Sequence, residues 1–424
     1  MSIILIKLLF ALACQVKVTM ETSGSLKKYF ATTSSGLESL LAKELASPPI
    51  FAQSVVEGKC GVHFQGNHRT ALSAVMSCHT SLKVMELVNE GNHVSSKDDL
   101  YSFVGAIDWS EIISYGSTMK VDAVLGETTA ALSHSHFTSL TVKNAIVDQF
   151  REKYGARPSI DIKDPDVPLI LYLHKNEALL YRVWSGEHSM HKRGYREEVH
   201  KAALRETTAS GLLQLANWHP DNGVLCDPMC GSGTIPVEAA LMEASTAPGL
   251  LRYGPVGEGN NHPPPPRSVF WPGVTDDDWN DVWSRAQKLD RRKELNQPGR
   301  APQILANDVH PGAVSLATRA AEAAGVRRMI EYSVKDVEEY SPKQTPTIVV
   351  TNPPWDVRLT GAEEAWRKLG IFAKSRLSGG TLWALSGNAA VTRHLSLRTS
   401  LKIPLKVASM DLRFLRYDIS SGER

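Results

Sequence analysis

Cysteine is scarce in this chain. Five occur in 424 residues, Cys14, Cys60, Cys78, Cys226 and Cys230, an odd and scattered set that builds no disulfide framework and suits a reducing compartment. Cys226 and Cys230 lie close together, but no His/Cys partner pair stands at zinc spacing, so no metal site is expected. Charge of one sign is missing as well. The balance of 47 Lys and Arg against 45 Asp and Glu leaves +2, so any contact with nucleic acid must come from a local patch. Long apolar runs are confined to the N-terminus, where "MSIILIKLLFALACQV" is broken by Lys7. That run is short for a membrane span and closer to a signal-peptide core. Residues 1–25 are therefore expected to be a leader or a spurious extension, the first 19 preceding a start-like Met20. No membrane partner is expected, and the protein is expected inside the cell, with cytoplasm, nucleus and organelle all open.

The chain is long enough for two or three cores. "KYFATTSSGLESLLAKEL" reads as strand, turn and helix, with Leu37, Leu40, Leu41 and Leu45 at helical spacing. "GVHFQG" alternates as a strand, and a helix and a strand follow, so a small α+β unit closes near residue 80. A second α+β stretch contains the strand "MKVDAVLG", the amphipathic helix "SLTVKNAIVDQFREKYG" and two strands about the "HKNE" turn. From Val224 the rhythm becomes strand, glycine-rich turn and helix, repeated, which is the doubly wound α/β signature. The proline-rich "GEGNNHPPPPR" at 257–267 is a loop inside that last unit.

Four strand ends in the last unit carry chemistry. "GVLCDPMCGSGTIPVEAALME" ends a strand at Asp227, and Gly231 and Gly233 let the backbone turn sharply before a helix. No P-loop is present, and Pro236 stands where a dinucleotide fingerprint needs its third glycine. Asp308 closes the strand of "QILANDVHPGAV", where a carboxylate can accept both ribose hydroxyls of a nucleoside cofactor. Asp336, in "YSVKDVEEY", can reach an adenine amine. Either aspartate alone is as well explained as a helix N-cap; three in succession favour one cleft. The fourth end is "TIVVTNPPWDVRL". Asn352 Oδ1 and the rigid Pro353 carbonyl can accept the two hydrogens of a planar amine, and Trp355 can stack on its ring. Such a grip aims the nitrogen lone pair at an electrophile, and the cleft implies a sulfonium methyl.

"DPMCGSGTIPVEAAL" together with "NPPW" resembles the S-adenosylmethionine-dependent amino-methyltransferases, whose shared motif is (Asn/Asp)-Pro-Pro-(Tyr/Phe/Trp). The segment "MHKRGYREEVHKAALRETTASGLLQLANW" is similar to that preceding the glycine loop in the THUMP-containing RNA guanine-N2 methyltransferases, near the RlmK/L-like large-subunit ribosomal RNA enzymes. "YFATTSSGLESLLAKEL", "LYSFVGAIDW", "HSHFTSLTVKNAIVDQFREKYGARPSID", "DPDVPLILYL" and the insert "APGLLRYG … SVFWPGVTDDDWNDVW" extend the resemblance over roughly residues 28–418. It implies a ferredoxin-like subdomain at 26–80, a THUMP RNA-binding domain at 81–185, and a doubly wound, Rossmann-like α/β methyltransferase domain at 186–424. It implies S-adenosyl-L-methionine as cofactor, held by Arg205, Glu206, Thr207, Asp227, Pro228, Cys230, Gly231, Gly233, Asp308 and Asp336. Asn352, Pro353, Pro354 and Trp355 would be catalytic. Two departures stand out: Asp356 replaces the glycine that usually follows the aromatic, with Arg358 two residues on as its pairing partner, and the chain has room for one methyltransferase domain where bacterial long forms carry two.

The resemblance also implies RNA as partner, ribosomal RNA favoured and transfer RNA or small nuclear RNA as alternatives, and leaves a small activating protein subunit open. The region 82–185 is net acidic, so contact would need the patch of Lys143, Arg151, Lys153 and Arg157, which is equally an ordinary solvated helix face. "HKRGYR" offers Lys192, Arg193 and Arg196 around the ring of Tyr195, and Arg358 adds a cation near the base. Two further readings are an adenine-N6 methyltransferase using the same pocket and a non-catalytic RNA-binding factor.

Overall fold

The structure is a computed structural model, and it describes residues 26–196, 204–257, 262–355 and 361–420. Residues 1–25, on which the leader reading falls, and Asp356 and Arg358 lie outside the described residues. No helix among the described residues is long and apolar enough to cross a membrane.

The N-terminal half builds one eight-stranded sheet from β1 (Lys27–Thr32), β2 (Gln53–Gly58), β3 (Gly61–Gly66), β4 (Lys83–Gly91), β5 (Thr118–Leu125), β6 (Ser159–Ile160), β7 (Val167–His174) and β8 (Glu177–Val183), in the order β2-β3-β1-β4-β8-β7-β5-β6. The sequence suggests two α+β units divided near residue 80. The structure joins those two units: β4 lies in the middle of the sheet, antiparallel to β1 on one side and to β8 on the other. Pairing both edges of β4 leaves no open ladder at the expected boundary, so the two units share a sheet.

Four helices cover one face. The apolar stripe read at Leu41 and Leu45 is buried there, beside Leu72, Val75 and Met76 of His68–Ser77, and Ile146 and Phe150 of Ser135–Tyr154. Local chemistry sets the helix ends. Asn67 and Thr70 cap the second helix reciprocally, and Gly155 ends the long one in the left-handed region at φ 66°. The insert from the C-terminal half joins the same core: Val269, Trp271, Trp279, Val282, Trp283 and Ala286 are buried with these residues. Trp271 Nε1 donates to the Asp166 carbonyl at 2.8 Å, and Ser268 Oγ to that of Trp184 at 2.9 Å.

The C-terminal half is a seven-stranded sheet of β9 (Leu225–Asp227), β10 (Ile304–Asp308), β11 (Ile330–Val334), β12 (Ile348–Thr351), β13 (Thr381–Ser386), β14 (Leu401–Val407) and β15 (Met410–Asp418), in the order β11-β10-β9-β12-β13-β15-β14. The first five run parallel, and β15 lies antiparallel to both β13 and β14. The α/β class expected from the sequence is the observed one. Parallel strands put their C-terminal ends on one edge, and the order reverses between β9 and β12, the place where such sheets open a crevice.

One buried cluster ties the first sheet to the insert. Glu86 accepts hydrogen bonds from Lys27 Nζ, Arg182 Nε and Trp184 Nε1, each at 2.8 Å, and the Arg182 guanidinium lies 4.6 Å from the Trp271 ring centroid. Burial pushes the Glu86 carboxyl up, but Arg182 and Lys27 together outweigh it and hold the group below its ordinary value. Glu86→Ala strands the Arg182 charge in the interior and is expected to cost about 3–5 kcal/mol, read as a lower urea midpoint.

Candidate active site

The glycine turn is built by packing as well as by backbone freedom. Gly231 and Gly233 both have positive φ, 54° and 80°, and a Cβ on Gly233 would lie 2.6 Å from that of Ala317 in the helix Pro311–Ala323. Only glycine permits both the turn and this approach. The turn is anchored to its neighbours by Asn307, a fully buried residue of β10. Asn307 Nδ2 donates to the carbonyls of Pro228 at 3.1 Å and Lys335 at 2.9 Å, its Oδ1 accepts from Lys335 N at 3.1 Å, and its own carbonyl accepts from Cys230 N at 2.8 Å. The adjacent Asp308 accepts from Gly231 N and His310 N, each at 2.9 Å.

Above this turn lies a cavity of about 500 Å³, within the size range of small-ligand sites. Asp227, Cys230, Gly231 and Asn352 line it together, joined by Leu204, Ser232, Thr234, His310 and Leu316. Asp308 and Gly233 stand behind that lining, holding the turn. Pro228, Arg205, Glu206, Thr207, Pro353, Pro354 and Trp355 do not line it, and neither does Asp336. Asp336 faces the helix Ala362–Arg376, where its hydrogen bond with Lys368, joined by one from Glu338 N, outweighs burial and holds its carboxyl below the ordinary value. Arg205 precedes the helix Glu206–Leu215, and Thr207 is buried within it. Asn307 and His310 are the functional positions that sequence reasoning missed. Asn307 looks like one more residue of a buried strand, and His310 sits within "DVHPG" only two residues past the Asp308 that was singled out.

Three expected RNA contacts are corrected. Arg193 is 1% exposed, and it donates to the Met190 and His79 carbonyls and faces Glu238 at 3.6 Å. Tyr195 is 3% exposed and donates its hydroxyl proton to Glu238 at 2.9 Å. Arg196 spans Glu206 at 2.8 Å and Thr234 Oγ1 at 3.0 Å, bracing one wall of the cavity. Each charge or hydroxyl meets a buried carboxylate, so these residues are internal struts, with no ring or cation presented to RNA. Of the cations in that stretch only Lys192 is exposed. On the helix Ser135–Tyr154, Lys143 is half-buried, Arg151 pairs with Asp148 at 3.3 Å, and Lys153 lies 3.6 Å from Asp108.

Asp227 brings a carboxyl to this lining. Burial is the main cause that pushes the Asp227 carboxyl up to about 7, with the Asp308 charge adding to it and the Met229 amide opposing it. Burial also pushes the Cys226 and Cys230 thiols far up, so neither is a thiolate nucleophile at neutral pH. Strand order, glycine turn and acidic strand ends together define the methyltransferase class of α/β fold.

Comparisons with known proteins agree and refine this. The family described as "RMKL-like, methyltransferase domain" matches residues 193–415, the THUMP domain residues 94–183, and the RlmL ferredoxin-like domain residues 28–85. A ribosomal RNA large subunit methyltransferase K/L of Syntrophotalea carbinolica is 33% identical over 406 residues, covering 93% of this chain and 54% of that protein. A Synechocystis protein named "Putative RNA methyltransferase slr0064" is 31% identical over 405 residues, covering 95% of this chain and 99% of its own. A methyltransferase-fold structure solved with S-adenosylhomocysteine superposes with a TM-score of 0.80 at 20% identity, over 94% of this chain and all of that one. The chain belongs to the S-adenosylmethionine-dependent, RMKL-like methyltransferase family, and it spans about half the length of the K/L relatives.

The residues present fit that cofactor: a nucleoside-sized space, a turn stripped of side chains, and buried carboxylates. A pH dependence follows. Between about pH 4 and about pH 7 the folded protein holds a proton on Asp227 that the unfolded chain has released, so this group's contribution to stability falls as pH rises through that window. A sulfonium cation in the cavity favours the ionised carboxylate. Its affinity is expected to rise between about pH 6 and about pH 8, by up to about tenfold per unit below the pKa, while Asp227→Asn flattens the profile, as calorimetry at several pH values would read.

Proposed function

We propose that this protein transfers a methyl group from S-adenosylmethionine to the exocyclic N2 amine of a guanine in structured RNA, with ribosomal RNA the favoured substrate. The observation that carries the reading is the position of Asn352. Its side chain borders the cavity lined by Asp227 and Gly231, so an acceptor for an aromatic amine stands beside the space for a methyl donor. When bound, the cofactor supplies an electrophilic methyl on sulfur; the rest is the chain's own work.

Asn352 Oδ1 already accepts from Trp355 Nε1 at 3.2 Å, and a carbonyl oxygen has a second lone pair for an amine hydrogen. The Pro354 carbonyl is taken by Trp366 Nε1 at 3.0 Å. The Pro353 carbonyl, on the same turn, is the acceptor this reading assigns to the second amine hydrogen. A guanine amine is weakly basic, so the rate would come from fixing its lone pair and excluding other geometries. Asp308 retains lone pairs for ribose hydroxyls beyond its two backbone contacts, whereas Asp336, at the next strand end, would have to turn from Lys368 to meet an adenine amine. Lys143, Arg151, Lys153 and Lys192 are the cations offered to phosphate, and the target base must leave its stack at a cost of a few kcal/mol when paired. Ribosomal RNA is favoured because the K/L relatives are named for the large ribosomal subunit.

Incubation with methyl-labelled S-adenosylmethionine and total cellular RNA, followed by digestion to nucleosides, tests the reading. Label is expected in N2-methylguanosine, and Asn352→Ala is expected to lower transfer by roughly a hundredfold or more with cofactor affinity held within about twofold. Label in N6-methyladenosine would replace guanine as the target.

A further inference from the structure

The turn after β12 is held by two indole N–H groups from different places. Trp366, fully buried on the helix Ala362–Arg376, donates to the Pro354 carbonyl. Trp355, half-buried, donates to the Asn352 side chain three residues before it. Its ring is wedged between the hydrophobic clusters on the two sides of the sheet and lies against Gly387, just past the end of β13. A Cβ there would come within 2.5 Å of the ring. Gly387 has no positive φ, so what this position requires of its residue is space for the indole. Ser386 pins the Gly387 turn by donating to the Asn388 carbonyl at 2.9 Å and accepting from Asn388 N at 3.1 Å.

The geometry points to Trp355 as a positioning residue for Asn352. An amide side chain can rotate by half a turn, exchanging its oxygen for its NH2. An indole N–H is a donor only, so it admits the oxygen and rejects the NH2. With the oxygen fixed next to Trp355, its second lone pair stays available to an incoming amine. Without the indole N–H, the flipped amide would present hydrogens to hydrogens. A phenylalanine in the same slot keeps a stacking ring and loses this selection. Gly387 is the second part of the device, because it lets the indole reach the amide. The inference rests on the proposed amine methylation and goes beyond it by separating two jobs of one aromatic side chain.

A carboxylate provides the test, because both its oxygens accept and a flip changes nothing. Trp355→Phe is expected to lower kcat about three- to tenfold, with KM for RNA and the affinity for S-adenosylmethionine each within about twofold. In an Asn352→Asp background the same Trp355→Phe change is expected to lower kcat by clearly less, about twofold, because no flip remains to be prevented. An equal kcat loss in both backgrounds, or none in the native background, overturns the inference while leaving the methylation reading intact. A complete absence of methylated nucleoside from the unsubstituted protein overturns both. The contact itself has an independent readout: the Trp355 indole N–H resonance, identified by its loss in Trp355→Phe, should be protected from exchange in the native protein and in Asn352→Asp. It should lose protection in Asn352→Ala, and unchanged protection there would again count against the inference.

Discussion

The amide of Asn307 is the point on which the candidate site depends. One uncharged side chain, fully buried at the end of β10, binds the loops that follow β9 and β11. Its backbone carbonyl holds the start of the glycine turn as well. Both its N–H groups and its Oδ1 are directed at backbone groups that would otherwise be unpaired in the interior, where each would cost about 1–3 kcal/mol. Because those partners are main chain, the loops' courses are set without using the side chains that line the cavity. Asp227, Cys230 and His310 line the cavity without carrying that task.

Much of this was legible beforehand, and the pattern of success has a physical cause. Strands ending at Asp227 and Asp308, and the glycine turn between them, announce themselves through local rules: apolar runs stop where the backbone must turn, and glycine marks the turn. Asn307 was hidden because its role is decided by loops on either side that are distant in sequence. The "HKRGYR" stretch was misread for a related reason. Arg193, Tyr195 and Arg196 look like a solvent-facing basic segment until Glu238 and Glu206, from two later helices, fold over them. Burial pushes the Tyr195 hydroxyl far up in pKa and raises that of Glu206; these are features of an interior. Irregular segments carry no periodicity from which a buried face can be read.

Asp336 shows the same limit from the other side. Its place after β11 followed from the strand pattern, but its partner Lys368 comes from a helix in the second half of the domain. The two ions are partly exposed, so the pair adds little stability, and it sets the direction in which the carboxylate points. That β4 joins the two N-terminal units into one sheet was likewise hidden, since it carries the same alternation whether it ends one sheet or sits in the middle of a larger one.

The insert gives the two halves an unusual kind of connection. Trp271, Trp279 and Trp283 follow β9 in the chain yet are buried with residues from Leu41 to Phe150. Conversely, Leu37 and Leu40 are buried with the C-terminal sheet, and Ser35 pairs with Lys406 of β14. Each half therefore lends part of its own chain to the other's core. If the peptide were severed at the stretch joining β8 to the helix Glu206–Leu215, the pieces would still be interlocked by these exchanged residues. Shortening the gene at that stretch would strip three tryptophans from the core that needs them. At this seam, the order of residues along the chain is a poor guide to what can be taken apart.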